Sequence, residues 1–237
     1  GHELLAEEDI DRPLRHARSP DDGGKGRLIR RRLQDHHRKH FSAARQYRRG
    51  RRSELSCDII AVQRADVAHA GFGATQQLVS DARHAEYELV DLETFDLDLL
   101  NEPTKPSVAG REYENAKTRV WSEKIDSIDG FVFVTPEYNH GVPAAMKNAL
   151  DVLYPEWNHK GLSLVGYGAD GGVRAIEHWR TIAANVHLHP TREQVSLSIF
   201  TEFGDDGFTP GERRSGELVA LLNSLVRLTE ATRALRS

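Results

Sequence analysis

Two polar clusters stand directly after apolar runs, each just ahead of a helix-forming stretch: "TPEYNHG" at 135–141 and "GYGADGG" at 166–172. In the first, Pro136 has no N–H to give a β-ladder. Glu137, Tyr138 and Asn139 then offer backbone N–H groups and polar side chains. In the second, the glycines let backbone come close to a flat ligand, and Gly171 and Gly172 lie just ahead of a helix. Amide donors at helix starts suit an electron-rich edge. His140 shares the first loop, where ligand contact and exposure to solvent are both open readings. No catalytic acid–base set is expected. No metal site is expected either, because His36, His37 and His40 sit in a stretch without periodicity and Cys57 is the only cysteine.

The elements that must position these loops follow from hydrophobic period. Residues 86–92 alternate as a strand, and 113–129 read as an amphipathic helix with Ala116, Val120, Trp121, Ile125 and Ile128 on one side. The run 130–136 is continuously apolar, as in a strand covered on both faces. Helices are expected over 144–154, 172–186 and 216–236, and strands over 161–168 and 196–200. Before these, "CDIIAV" (57–62) reads as a short strand and 65–82 as a helix weakened by Gly71 and Gly73. Such strand–helix alternation means α/β with a mostly parallel sheet. In an open sheet of this kind, ligands sit outside the carboxyl ends of the strands.

A flavin fits two such loops. Its dimethylbenzene part can lie on apolar groups, while its pyrimidine edge needs amide donors and acceptors. Pre-aimed N–H groups would hold the negative charge that reduction places there.

The pattern P-E-Y-N-x-x-x-P-x-x-x-K-N-x-x-D over 136–151 resembles the signature of the NADPH-dependent FMN reductase family. The resemblance runs from about Glu86 to the end, through "YELVDL", "FDLDLLNEP", "WSEKI", "EWNHKG" and "GYGADGG". It implies a flavodoxin-like three-layer sandwich, a noncovalently bound FMN, and NADPH or NADH as hydride donor. It also implies a small electron acceptor (free flavin, a quinone or an azo compound) and a homodimer or homotetramer. By that resemblance Pro136, Glu137, Tyr138 and Asn139 line the isoalloxazine ring, with His140 beside them. Tyr167, Gly168, Gly171 and Gly172 approach the same cofactor from the neighbouring loop. Lys147 and Asn148 hold the helix and a subunit contact. Trp121 and Trp179 are expected to pack helices on the sheet, and Trp157 is open between packing and a subunit or substrate contact.

The first part of the chain is different. Between Lys25 and Arg52 stand twelve Lys or Arg against one acid, Asp35, leaving −15 for the rest of a 237-residue chain whose formal charge is −4. Hydrophobic content is 38% and mean hydropathy −0.57, so part of the length is expected not to pack. Residues 1–56 are read as an irregular basic arm ahead of the reductase-like domain 57–237. With only Phe41 and Tyr47 as aromatics and no recognisable fold, the basic run from 25 to 52 is expected to be a poor nucleic-acid binder; that role, or a non-catalytic flavodoxin-like module, is the alternative to a reductase. No apolar run approaches the ~20 residues of a membrane span, and a single cysteine fits a reducing cytoplasm. The family's phosphate loop, of the kind Gly-Ser-Thr-Arg after the first strand, is missing. Codons for "DHHRKH" (35–40), read one nucleotide later, can spell Ile-Ile-Ile-Gly-Ser-Thr. A displaced frame over about 1–60 would then leave the chain without its first central strand and phosphate cradle, and with weak FMN binding.

Overall fold

A computed structural model describes residues 55–61, 85–204 and 207–236, the first of these segments by its backbone alone. All of them belong to one unit, Ser53–Ser237. The expected helix 65–82 lies outside the described residues. So does the basic arm with its displaced frame, except for residues 55 and 56, which open a strand.

Five strands form one sheet: β1 (Leu55–Ala61), β2 (Ala85–Asp91), β3 (Gly130–Pro136), β4 (Gly161–Gly168) and β5 (His189–Ser198). Their order is β2-β1-β3-β4-β5, and every neighbouring pair is parallel. This is the flavodoxin-like order, in which strand order reverses between β1 and β3 and a crevice opens outside their carboxyl ends. The expectation of a chain without its first central strand is corrected here. Leu55–Ala61 fills that place, paired from Cys57↔Gly130 to Ala61↔Val134 on one side and with β2 on the other.

Helices α1 (Ala116–Asp126), α2 (Ala144–Asp151) and α3 (Val173–Asn185) follow β2, β3 and β4, and α4 (Arg213–Arg233) closes the chain. Side chains alternate across β3 with the period of two that a strand imposes. Phe131 and Phe133 join Trp121, Met146, Leu150, Ile176 and Trp179 in the core under α1–α3. Val132 and Val134 join Leu221, Leu222 and Leu225 under α4. That makes three layers with both faces covered.

All three tryptophans are buried. Trp157 is therefore core: its ring lies 5.2 Å from that of Phe131, and its Nε1 donates to the Leu150 carbonyl at 3.0 Å. Burying such a ring contributes about 3 kcal/mol.

Several expected elements differ at their ends, and two of the differences have a visible cause. The helix expected over 113–129 starts at Ala116, because the Asn115 carboxamide oxygen accepts from the Lys117 N–H at 2.8 Å and caps it. Tyr113 is drawn instead into the core, where its hydroxyl donates to the buried Glu156 carboxylate. Strand β5 starts at His189, seven residues before the apolar run that announced it. As an edge strand it needs only one ladder, so polar residues such as Thr191 and Gln194 are tolerated in it. The hairpin β6 (Phe203–Gly204) and β7 (Gly207–Phe208) is too short to leave a period.

Candidate functional site

The two polar clusters end neighbouring strands. Pro136 is opposite Tyr167 in the β3–β4 ladder, and the Glu137 N–H donates to the Tyr167 carbonyl at 3.1 Å. A methyl group added to Gly168 would lie 3.4 Å from the Glu137 Cβ. The β3 corner and the β4 bend are thus adjoining walls at the carboxyl edge of the sheet, and β3 flanks the point where strand order reverses.

The corner is a tight turn. The Tyr138 N–H donates to the Gly141 carbonyl at 3.1 Å, and the Gly141 N–H returns to Tyr138 at 2.8 Å. Between them Asn139 (φ 48°) and His140 (φ 62°) are both left-handed, the geometry of a type I′ turn. Two of the donors expected to be free are therefore used, those of Glu137 and Tyr138. The open ones are the N–H groups of Asn139 and His140 on the corner and of Ala169 and Asp170 on the bend. These four have no acceptor among the described residues, and all four residues are exposed.

The glycines of the bend have a task within the fold itself. Gly171 (φ 72°) and Gly172 (φ 71°) are buried. A Cβ on Gly172 would stand 2.6 Å from the Tyr167 nitrogen, and one on Gly166 would stand 3.0 Å from the carbonyl oxygens of Gly171 and Gly172. The bend closely approaches its own strand. What faces outward is Gly168–Asp170. The ring of Tyr167, expected at the site, belongs to the core under α4, 6.2 Å from Phe203. Side chains alternate along β4, so only the backbone of Tyr167 serves the edge.

The Glu137 carboxylate is engaged within the chain. Its side chain is 8% exposed. One oxygen accepts from the Arg174 guanidinium at 2.8 Å, the other from the N–H groups of Arg174 at 2.9 Å and Ala175 at 3.4 Å. Burial pushes its pKa up, but these donors outweigh burial and hold the carboxyl below its usual range. Helix α3 has Gly172 as N-cap, with no side chain to cap it. Glu137 supplies the cap from the neighbouring loop and ties corner to bend. Arg174 closes the brace by also pairing with Asp170 at 2.7 Å. Sequence reasoning missed Arg174. The available signal was a cation in the first turn of a helix, against the dipole, which calls for an acid nearby.

Asn148, expected with Lys147 to hold the helix and a subunit contact, is engaged within the chain. It accepts from the Leu100 N–H at 2.9 Å and donates to the Asp98 carbonyl at 3.0 Å, fastening the loop after β2 onto α2. Lys147 pairs with Asp151 one turn on. A cleft of about 330 Å³ lined by Lys147, Leu150, Tyr154, Ile182 and Asn185 lies along α2 and the end of α3, apart from the corner. Among the described residues no group of three or more His, Cys, Asp or Glu could hold a metal ion. No helix among them is long and apolar enough to cross a membrane.

The model of the NADPH-dependent FMN reductase family matches residues 70–202, more than half of the chain. The chain belongs to this family. Within it, 114 residues are 42% identical to an NAD(P)H-dependent FMN reductase of Schizosaccharomyces pombe, covering 47% of this chain and 57% of that protein. An NADPH azoreductase of a Bacillus species is 33% identical over 132 residues, covering 53% of this chain and 70% of its own length. The chain spans little more than half the length of the fission-yeast relative. Among solved structures, a flavoenzyme NAD(P)H:(acceptor) oxidoreductase from Paracoccus denitrificans superposes with a TM-score of 0.58 at 18% identity, over 75% of this chain and 98% of that one. That likeness is one of fold, and it agrees with the strand order of this FMN reductase family member.

Proposed function

We propose that the chain holds FMN with its isoalloxazine ring against the Pro136–His140 corner and the Gly168–Asp170 bend. On this reading it passes a hydride from NADPH or NADH to a small acceptor such as free flavin, a quinone or an azo compound. The observation that carries the reading is the meeting of these two walls at one sheet edge, with four outward N–H groups, in a member of this family.

FMN, when bound, supplies the two-electron carrier: NAD(P)H, one proton and the acceptor become NAD(P)⁺ and the two-electron-reduced acceptor. The chain's own residues do the rest. The N–H groups of Asn139, His140, Ala169 and Asp170 stabilise charge that develops on the ring edge. Pro136, buried at the end of β3, gives a water-free floor. The Glu137–Arg174 brace keeps the walls in register and is too well paired to act as an acid or base.

The ring half of the site fits FMN; the phosphate half is poorer. From Val62 to Ala74, the stretch that follows β1, the sequence has no Ser or Thr hydroxyl to give a phosphate. FMN is therefore held mainly by its ring and binds weakly. A homodimer or homotetramer in the cytoplasm is the assembly we infer, on the family resemblance and the lone Cys57.

Titration of the purified protein with FMN and with riboflavin, followed by flavin fluorescence, tests this. Binding of both within about tenfold of each other, with NADPH oxidation only when flavin is added, is the expected result. Absence of flavin binding together with absence of NADPH oxidation would sink the reading.

A further inference from the structure

Beyond the bend, β5 ends in a turn that presents an aromatic side chain to solvent. Phe200 is 76% exposed and Ile199 40%. The turn is firmly built. The Ser198 N–H donates to Glu202 Oε2 at 2.9 Å, and the N–H groups of Thr201 and Glu202 return to the Ser198 carbonyl at 3.3 and 3.0 Å. Glu202, itself buried, is held by Arg214 at the start of α4, at 2.5 and 3.2 Å. The turn is also joined to the candidate site, for the Ile199 N–H donates to the Gly168 carbonyl at 3.1 Å. Glu137, Gly168 and Ile199 therefore stand side by side at the ends of β3, β4 and β5, with Phe200 about 10 Å, two strand spacings, from the corner.

We propose that Phe200, backed by Ile199, is the stacking ledge for a neutral planar aromatic electron acceptor, and so a specificity-determining residue of the reaction proposed above. This inference rests on that reading. A phenyl ring on a hydrogen-bonded turn offers a π face with only its own few rotamers to order. Two apolar side chains fall far short of the roughly 800 Å² per partner that a stable dimer buries, which disfavours a second copy as the occupant. A small flat molecule matches the size of the ledge.

The test compares the protein with Phe200→Ala and Phe200→Tyr, first by saturation-transfer NMR of menadione, a neutral naphthoquinone, on the oxidised protein without NADPH. The expected result is weakening by about tenfold in Phe200→Ala and recovery in Phe200→Tyr. With FMN added, the KM for menadione rises by the same factor in Phe200→Ala. The KM for NADPH, the FMN affinity and turnover with ferricyanide, an anion with no face to stack, stay within about twofold. Equal menadione binding in Phe200→Ala overturns the proposal. So does a shift in FMN affinity, in the KM for NADPH, or in sedimentation, which would mark Phe200 as cofactor wall, nicotinamide wall or subunit contact. A protein without flavin or NADPH oxidation defeats the reductase reading alone, because menadione binding is still read directly.

Discussion

At the carboxyl edge of the sheet, Asn139 and His140 hold left-handed backbone in the open, and their N–H groups meet no acceptor among the described residues. At the amino edge, His159 (φ 59°) and His187 (φ 51°) are equally left-handed, but there the backbone closes on itself. The His159 N–H donates to the His187 carbonyl at 2.8 Å, and the His189 N–H to Lys160 at 2.9 Å. Both ends store backbone strain of about 1–3 kcal/mol per residue. At one end it staples two loops together; at the other it leaves donors facing outward. Strain alone does not distinguish the two ends; the open donors do.

The sharpest way to break this contrast is at the bend. Gly172→Val would drive a side chain into the Tyr167 nitrogen 2.6 Å away, at a φ of 71° that valine resists. Urea denaturation should show a loss of about 3–5 kcal/mol, with flavin binding abolished. Gly168→Ala, whose new methyl would meet Glu137 Cβ at an ordinary 3.4 Å, should cost under about 1 kcal/mol. Equal losses in the two variants would mean that the bend is not held by its close approach to β4.

At the amino edge the largest effect should come from Lys160. Burial pushes its ammonium pKa down to about 7, and its Nζ donates to the Ile125 carbonyl at 2.7 Å at the end of α1. A lowered pKa means the folded state binds fewer protons than the unfolded one between about 7 and the ordinary 10.5. Stability should therefore rise with pH across that window, by at most about 1.4 kcal/mol per pH unit, and level off below about 7, where both states hold the proton. Chemical denaturation at stepped pH should find this slope in the native chain and a flatter line in Lys160→Met. An unchanged slope in the variant would assign it elsewhere.

Most of what positions the site was legible in the sequence. Strands β3 and β4 announced themselves at their observed limits because both faces are buried and the apolar runs are continuous. Helices α2 and α3 were legible from their period. What the sequence concealed was direction and partnership. Nothing in "PEYN" says that its carboxylate turns away to cap the next helix, because Arg174 lies 37 residues downstream and the contact exists only once β3 and β4 are neighbours. Nothing in "GYGADGG" separates glycines needed by a ligand from glycines needed by their own strand. Phe200 escaped for another reason: a lone aromatic at a strand end reads as core, and only exposure reveals it as a ledge.

Smaller effects sharpen the comparison further. Glu137→Gln keeps the shape of the brace but removes its charge, and should cost about 1–2 kcal/mol, the loss being moderated by the 40% exposure of Arg174. The Glu137 pKa is lowered on folding, so its contribution is present above the ordinary carboxylate value and is lost as pH falls through the folded one. In Glu137→Gln the acid limb of the stability curve should flatten, and flavin affinity should fall with the register of the two walls. A variant equally sensitive to acid would show that the brace is not what acid breaks.

His189 should give the smallest shift, and at the opposite end. Burial, then the charges of His159 and His187, hold its pKa below the ordinary 6.5. Its ring lies 6.0 Å from that of His159, and His159 Nδ1 and His189 Nε2 are buried without a hydrogen-bond partner among the described residues. The folded state thus prefers the neutral ring, and the stability present above pH 6.5 is lost as pH falls through the lower folded value. His189→Asn should remove under about 1 kcal/mol of that acid sensitivity, read as a smaller drop in melting temperature between pH 7 and 5. Flavin affinity at pH 7 should not move, because the histidines lie at the end of the sheet whose strained backbone closes on itself. If it did move, the two edges would be coupled through β4 and β5, and the division of labour between them would fail.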